Sequence, residues 1–194
     1  MIKKILRMPE IPKGFRGYKP EKVQTTRKID IKTDVHLEHL KDAFRKHHGH
    51  DTEGYYNNAT SLLTMNYSAA DVEKFCLSLA DLNRNFYKGF ALGPFLSALV
   101  NNGRDNDYRL CISHIDLWID YLGFRNRKKV TIEGNVGHAL GELMERGIII
   151  VNGNAGDGVG YMMSDGVIIV NGNAGTNVGS NISGGKIHIN GNHK

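Results

Sequence analysis

Cysteine is nearly missing from this chain. Cys76 and Cys111 are the two in 194 residues, and neither belongs to a Cys-x-x-Cys pair. A disulfide framework or a zinc ribbon needs more than that, and the pair fits a reducing compartment. Long apolar runs are missing as well. No stretch reaches the roughly 18 residues expected of a membrane span. Met1-Ile-Lys-Lys-Ile-Leu-Arg is interrupted by charge and then by Pro9, so no signal-peptide core is present. These absences lead to the expectation of a soluble, cytoplasmic protein.

Signatures of catalysis are equally sparse. No Ser/His/Asp order suggests a hydrolase, and both cysteines fall among apolar residues, where packing is their ordinary role. The run Gly153-Asn-Ala-Gly156-Asp-Gly158-Val-Gly160 lacks the Gly-x-Gly-x-x-Gly spacing of a nucleotide loop. It also leads into another strand rather than a helix whose N-terminus could hold a phosphate.

What the chain has in excess is glycine, 23 residues, and most of it recurs at a fixed interval. Gly147-Ile-Ile-Ile-Val-Asn-Gly-Asn-Ala-Gly156 returns as Gly166-Val-Ile-Ile-Val-Asn-Gly-Asn-Ala-Gly175. Val130-Thr-Ile-Glu-Gly-Asn-Val-Gly137 precedes them, and Gly185-Lys-Ile-His-Ile-Asn-Gly-Asn192 follows. Gly-Asn pairs begin at 134, 153, 172 and 191, a constant step of 19 (153 − 134). A fixed period near 20 is the mark of a solenoid, in which each repeat is one coil.

Superposing the repeats assigns their faces. Val130/Ile132, Ile149/Val151, Ile168/Val170 and Ile187/Ile189 alternate along their strands and point inward. Val136/Ala155/Ala174, Leu140/Val159/Val178 and Met144/Met163/Ile182 complete the interior. Glycine columns fall where the coil must turn. Asn152/Asn171/Asn190 and Asn135/Asn154/Asn173/Asn192 are placed to form amide ladders at the corners. The outward strand positions read Lys129/Thr131, Ile148/Ile150, Val167/Ile169 and Lys186/His188. Four branched apolar side chains on the middle rungs form a patch to be covered either by the chain's own N-terminal part or by another protein, while Lys186 and His188 protect the last edge.

This pattern of Gly-Asn-Ala-Gly, a second glycine pair and a Gly-led strand resembles the GXGXG-type C-terminal β-helix of glutamate synthase large subunits. It is equally similar to the C subunit of formylmethanofuran dehydrogenase. The resemblance covers residues 129–192, about a third of the chain. It implies a structural spacer that packs against catalytic domains and carries no catalytic residues itself. Nothing here matches the nucleophile, flavin site or cluster cysteines of those enzymes, so their activities do not follow.

The charge is uneven. Residues 1–28 hold nine basic residues against Glu10 and Glu21, a net +7, while the whole chain carries +5. A basic arm of this kind can bind nucleic acid or an acidic partner, but Phe15 and Tyr18 are few aromatics for stacking on bases, and the plainer reading is a solvated leader that lies along the body. Ile29-Asp-Ile-Lys-Thr alternates like a short edge strand. The periodicity then predicts helices from Val35 to His48, from Thr52 to about Met65, and after Ser68, whose acid three residues on forms a capping box. Val72, Phe75, Cys76, Leu79 and Leu82 form the stripe of the third. Gly93-Pro94 opens a short helix over Phe95–Val100. Tyr108–Ile112 suits either helix or strand, and Asp116–Gly123 reads as the end of a helix covering the first coil.

The expected architecture is α+β: a basic arm (1–28), a mainly α-helical domain (29–125), and a right-handed parallel β-helix of 19-residue coils (126–194). Two polar groupings have residue types suited to chemistry. His47-His-Gly-His50-Asp51 has metal-ligand types, but one loop seldom supplies three converging ligands, and helix-end histidines suit the helix dipole. His138, Glu142, Asp157 and Tyr161 lie in adjacent outward columns with the composition of an acid–base or metal site. Outward columns carry polar residues in any case. No catalytic, cofactor-binding or metal residue is therefore assigned, and the chain reads as a non-catalytic structural or assembly module. It docks on a partner or on itself through Ile148, Ile150, Val167 and Ile169; the alternative is an accessory subunit of an amidotransfer or redox complex.

Overall fold

The computed structural model describes residues 34–81 and 89–193. The basic arm, the expected edge strand at 29–33 and Leu82 lie outside the described residues. Among the described residues four helices come first: α1 (Val35–Lys46), α2 (Thr52–Leu62), α3 (Ala69–Ser78, extended by a 3₁₀ turn at Leu79–Asp81) and α4 (Gly89–Asn102). Five short parallel strands follow in the order of the chain: β1 (Asp107–Cys111), β2 (Lys129–Glu133), β3 (Ile148–Asn152), β4 (Val167–Val170) and β5 (Lys186–Ile189). The fold is a parallel β-solenoid of about four turns preceded by a helical region.

Local chemistry sets the helix boundaries. Asp34 and Asp51 cap α1 and α2 by accepting from Leu37 N and Gly54 N. Ser68 and Asp71 form the expected reciprocal capping box on α3. The fourth helix is longer than its sequence suggests, because Pro94 lies inside it rather than at its start. Proline removes one backbone donor, and here the loss is outweighed by packing: Leu92, Phe95, Leu96 and Leu99 are all fully buried.

The strands pair at the repeat interval, Val130 with Ile149, Ile149 with Ile168, and Ile168 with Ile187. Interior columns are buried through Met163 and Val170, while the last coil leaves Ile182 43% exposed. Glycine serves two different needs. Gly141, Gly160 and Gly179 take φ of +68° to +70°, which L residues resist. Gly156 and Gly175 have ordinary φ but no room: a Cβ would sit 2.9 Å from Gly137 backbone carbon and from Asp157 N respectively.

The solenoid starts one rung earlier than the boundary expected at 126. Asp107–Cys111 is a strand, and Asp107 pairs with Lys129. No helix covers the first coil from 116 to 123; those residues are turns that form the coil itself, with Tyr121 and Gly123 in left-handed conformation beneath Ala139 and Gly141. The helical reading failed because a coil corner also buries residues three apart, here Ile119 and Leu122. The cap is made instead by α3, which lies along β1, and by α4, which plugs the coil interior. A space of about 10 Å³ remains where Leu96 and Val100 meet Leu110, Leu122 and Val130.

That junction is stitched by polar groups. Buried Ser97 Oγ donates to Gly93 O at 2.7 Å and accepts from Gly123 N and Phe124 N at 2.9 and 3.1 Å. Asn101 Nδ2 donates to Arg125 O at 3.1 Å, and Asn101 Oδ1 accepts from Arg127 N at 3.2 Å. Lys128 Nζ donates to the carbonyls of Gly103 and Asp105. Buried backbone donors left without partners would cost about 1–3 kcal/mol each.

Candidate functional site

On the outer side of the strands, Ile148 stands beside Val167 and Ile150 beside Ile169, in register. Among the described residues, β3 and β4 pack extensively only against neighbouring rungs. Charge bounds the apolar stripe on both sides. Lys129 pairs with Asp107 at 2.7 Å and Arg109 with Glu133 at 3.2 Å on the first two rungs, and Lys186 and His188 occupy the last.

The corner after each strand carries three ladders of side chains. In one, Asn152 Nδ2 donates to Glu133, Asn171 Nδ2 to Asn152 and Asn190 Nδ2 to Asn171, at 2.7–3.1 Å. In the next, the Oδ1 atoms of Asn135, Asn154 and Asn173 each accept the backbone N–H of the asparagine one coil on, at 2.8 Å. The third was not foreseen as a ladder. Asp120 Oδ1 accepts from His138 N at 2.7 Å, His138 Nδ1 from Asp157 N at 3.1 Å, and Asp157 Oδ1 from Thr176 N at 2.7 Å.

This last ladder explains half of the polar grouping. His138 and Asp157 do come together, with Nδ1 3.6 Å from Oδ2. A backbone N–H can only donate, so Nδ1 must accept, and the neutral ring carries its proton on Nε2. A carboxylate holding Nδ1–H, as an oriented general base requires, is therefore not the arrangement here. Burial raises the pKa of the Glu142 carboxyl.

The histidine-rich loop is a junction between helices. His47 caps α1, its Nε2 lies 3.1 Å from Ala91 O, and its ring packs on Phe95 and Tyr55. Burial lowers its pKa. Asp51 is committed to its cap, at 2.6 Å from Gly54 N. Among the described residues no group of three or more histidine, cysteine, aspartate or glutamate side chains is placed to hold a metal ion. Burial pushes the Cys76 thiol up, and burial followed by nearby Glu73 does the same for Cys111. Neither thiol is activated as a nucleophile.

Sequence reading missed Trp118. Cys111 pairs with Glu133, and Ile119 O accepts from Gly137 N just as Gly137 O accepts from Gly156 N. The loop between these points spans eight positions in the first coil and four above it (119 − 111 against 137 − 133). The insertion carries Trp118 outside the stack, 62% exposed. The signal was a coil step of 22 instead of 19, hidden because the first coil lacks the Gly-Asn pair.

No family model, curated protein or solved structure matches the chain. Among the described residues, no helix is long and apolar enough to cross a membrane.

Proposed function

We propose that this chain is a non-catalytic assembly module: a helix-capped solenoid that presents Ile148, Ile150, Val167 and Ile169 to another protein surface. The carrying observation is the stripe itself, four branched side chains in register with charge on both flanks. A contiguous apolar patch rimmed by polar groups gains free energy when another surface removes it from water, at about 25 cal/mol per Å². The raised thiol pKa values and the ladder-bound His138 support a role without chemistry.

Changing Ile150 and Ile169 together to glutamate tests it. The circular dichroism spectrum should be retained, because both side chains point away from the interior. The complex seen by light scattering, or the partner retained on the tagged full chain, should be lost. Unfolding of the double variant would place the stripe inside the fold and end the proposal; so would a wild-type protein that stays monomeric and retains no partner.

The repeat at 129–192 favours a second reading, an accessory subunit of an amidotransfer or redox complex such as those of glutamate synthase or formylmethanofuran dehydrogenase. Stoichiometric co-purification with such an enzyme would support it, and recovery of the chain alone would count against it. Nucleic-acid binding through residues 1–28 rests on charge alone, and salt-sensitive binding lost on deleting them is its test.

A further inference from the structure

The inserted loop of the first coil builds a second surface, on the corner face rather than the strand face. Trp118, the one tryptophan of the chain, is held there on fixed backbone. Ile119 is buried with its carbonyl bonded to Gly137 N at 3.0 Å, and Asp120 is tied to His138 N at 2.7 Å. Beside the indole runs an open groove of about 420 Å³, with Ala155, Gly156, Ala174 and Gly175 among its lining residues. A cavity of about 240 Å³ that shares Trp118 also reaches Asn135. Trp118 thus stands between two hollows along the asparagine ladder.

The groove is mostly apolar in its lining, with His138, Asn154 and Asn173 as its polar side chains. The small residues are imposed by the stack, since a side chain at Gly175 would collide with the coil below. The nearby carboxylates of Asp120 and Asp157 each accept a backbone N–H of the next coil, at 2.7 Å. The lining offers a ligand the Trp118 indole, the His138 ring and the Asn154 and Asn173 amides, whose Oδ1 atoms each already accept one backbone N–H while Asn154 Nδ2 donates to Asn135 Oδ1 at 3.1 Å. Successive rungs repeat those amides about every 4.8 Å. Anions find no fixed cation in this lining, whereas a ring with one C–H face and a rim of hydroxyls matches all three elements.

We propose that this groove binds a neutral saccharide, with one sugar ring stacked on Trp118 and its hydroxyls bonded by His138 Nε2–H and the Asn154 and Asn173 amides. The full chain is to be screened on an array of neutral and anionic glycans. A neutral oligosaccharide that is retained is then titrated in solution while Trp118 emission is followed, the emission of the sole tryptophan reporting on the site directly. The expected result is a saturable emission shift, and a loss of affinity of about tenfold or more in Trp118→Ala by calorimetry. That variant should keep the wild-type circular dichroism spectrum because the side chain is exposed. Retention of no neutral glycan, retention of anionic glycans alone, or undiminished affinity in Trp118→Ala would each overturn the proposal. The Ile150→Glu/Ile169→Glu variant should bind the glycan as wild type does, so this test and that of the docking stripe fail separately.

Discussion

Single residues carry much of the strain and the pH response. Met162 adopts φ of +54°, and its counterparts one coil down and one coil up, Leu143 and Asn181, share that conformation. A non-glycine residue there costs about 1 kcal/mol, and asparagine tolerates it best. Met162 is 45% exposed and loses little packing when replaced. Met162→Asn should therefore stabilise the fold by about 0.5 kcal/mol, read as a higher Tm. Asp71 contributes to acid stability. Burial works to raise its pKa, but hydrogen bonds from Ser68 N, Ser68 Oγ and His36 outweigh it and bring the value down to about 2. A carboxyl whose folded pKa is depressed contributes stability above its unfolded pKa, near 3.8, and loses it as pH falls towards about 2. The contribution is on the order of 1 kcal/mol after screening by solvent. Urea midpoints measured across that window should fall with pH in the wild type and fall less in Asp71→Asn.

At the scale of elements, the decisive contact is α4 against the first coil. A Cβ at Gly93 would run into the Asp120 carbonyl, so the helix reaches the coil only because the side chain is absent there. Ser97, one turn later, then reaches Gly123 and Phe124. Gly93→Val should push the helix away and cost about 3 kcal/mol. Thermal unfolding would show the loss, and hydrogen exchange should show Gly123 and Phe124 amides losing protection before those of β3 and β4. If those amides stay protected, the helix is held by other contacts. The ladders act in the perpendicular direction. Each side chain that accepts a backbone N–H from the next coil fixes the corner geometry, which is why one column tolerates aspartate, histidine and aspartate in turn.

Across the whole molecule, the two ends of the solenoid differ. The first rung is sealed by α3 and α4, whereas among the described residues β5 pairs with β4 alone and leaves Ile187 and Ile189 half-buried. Lys186 and His188 stand on the outer face of that last strand, and charge there discourages another strand from adding. The strand stripe and the Trp118 groove occupy different sides of the coil. A protein docked on Ile150 and Ile169 would leave the corner open, and Trp118→Ala should leave the size of any assembly unchanged by light scattering. Loss of assembly in that variant would mean that one surface serves both purposes.

Repetition made most of the solenoid legible in the sequence. A step of 19 with alternating Ile and Val has one economical solution, because each column buries its neighbours of the same kind. The interior residues, the asparagine ladders and the apolar stripe all follow from that stacking. Where the repeat breaks, local pattern no longer decides. Tyr108–Cys111 became a strand because β2 offered an unpaired edge, and 112–128 became a coil because the rung above supplied partners for its turns. His138 and Asp157 looked like chemistry in one dimension; only the backbone between coils showed that the imidazole nitrogen was already used. Trp118 carried no periodic signal at all. Its exposure beside the asparagine corner was decided by tertiary structure, since four extra residues must leave a stack whose rung spacing is set by backbone hydrogen bonds.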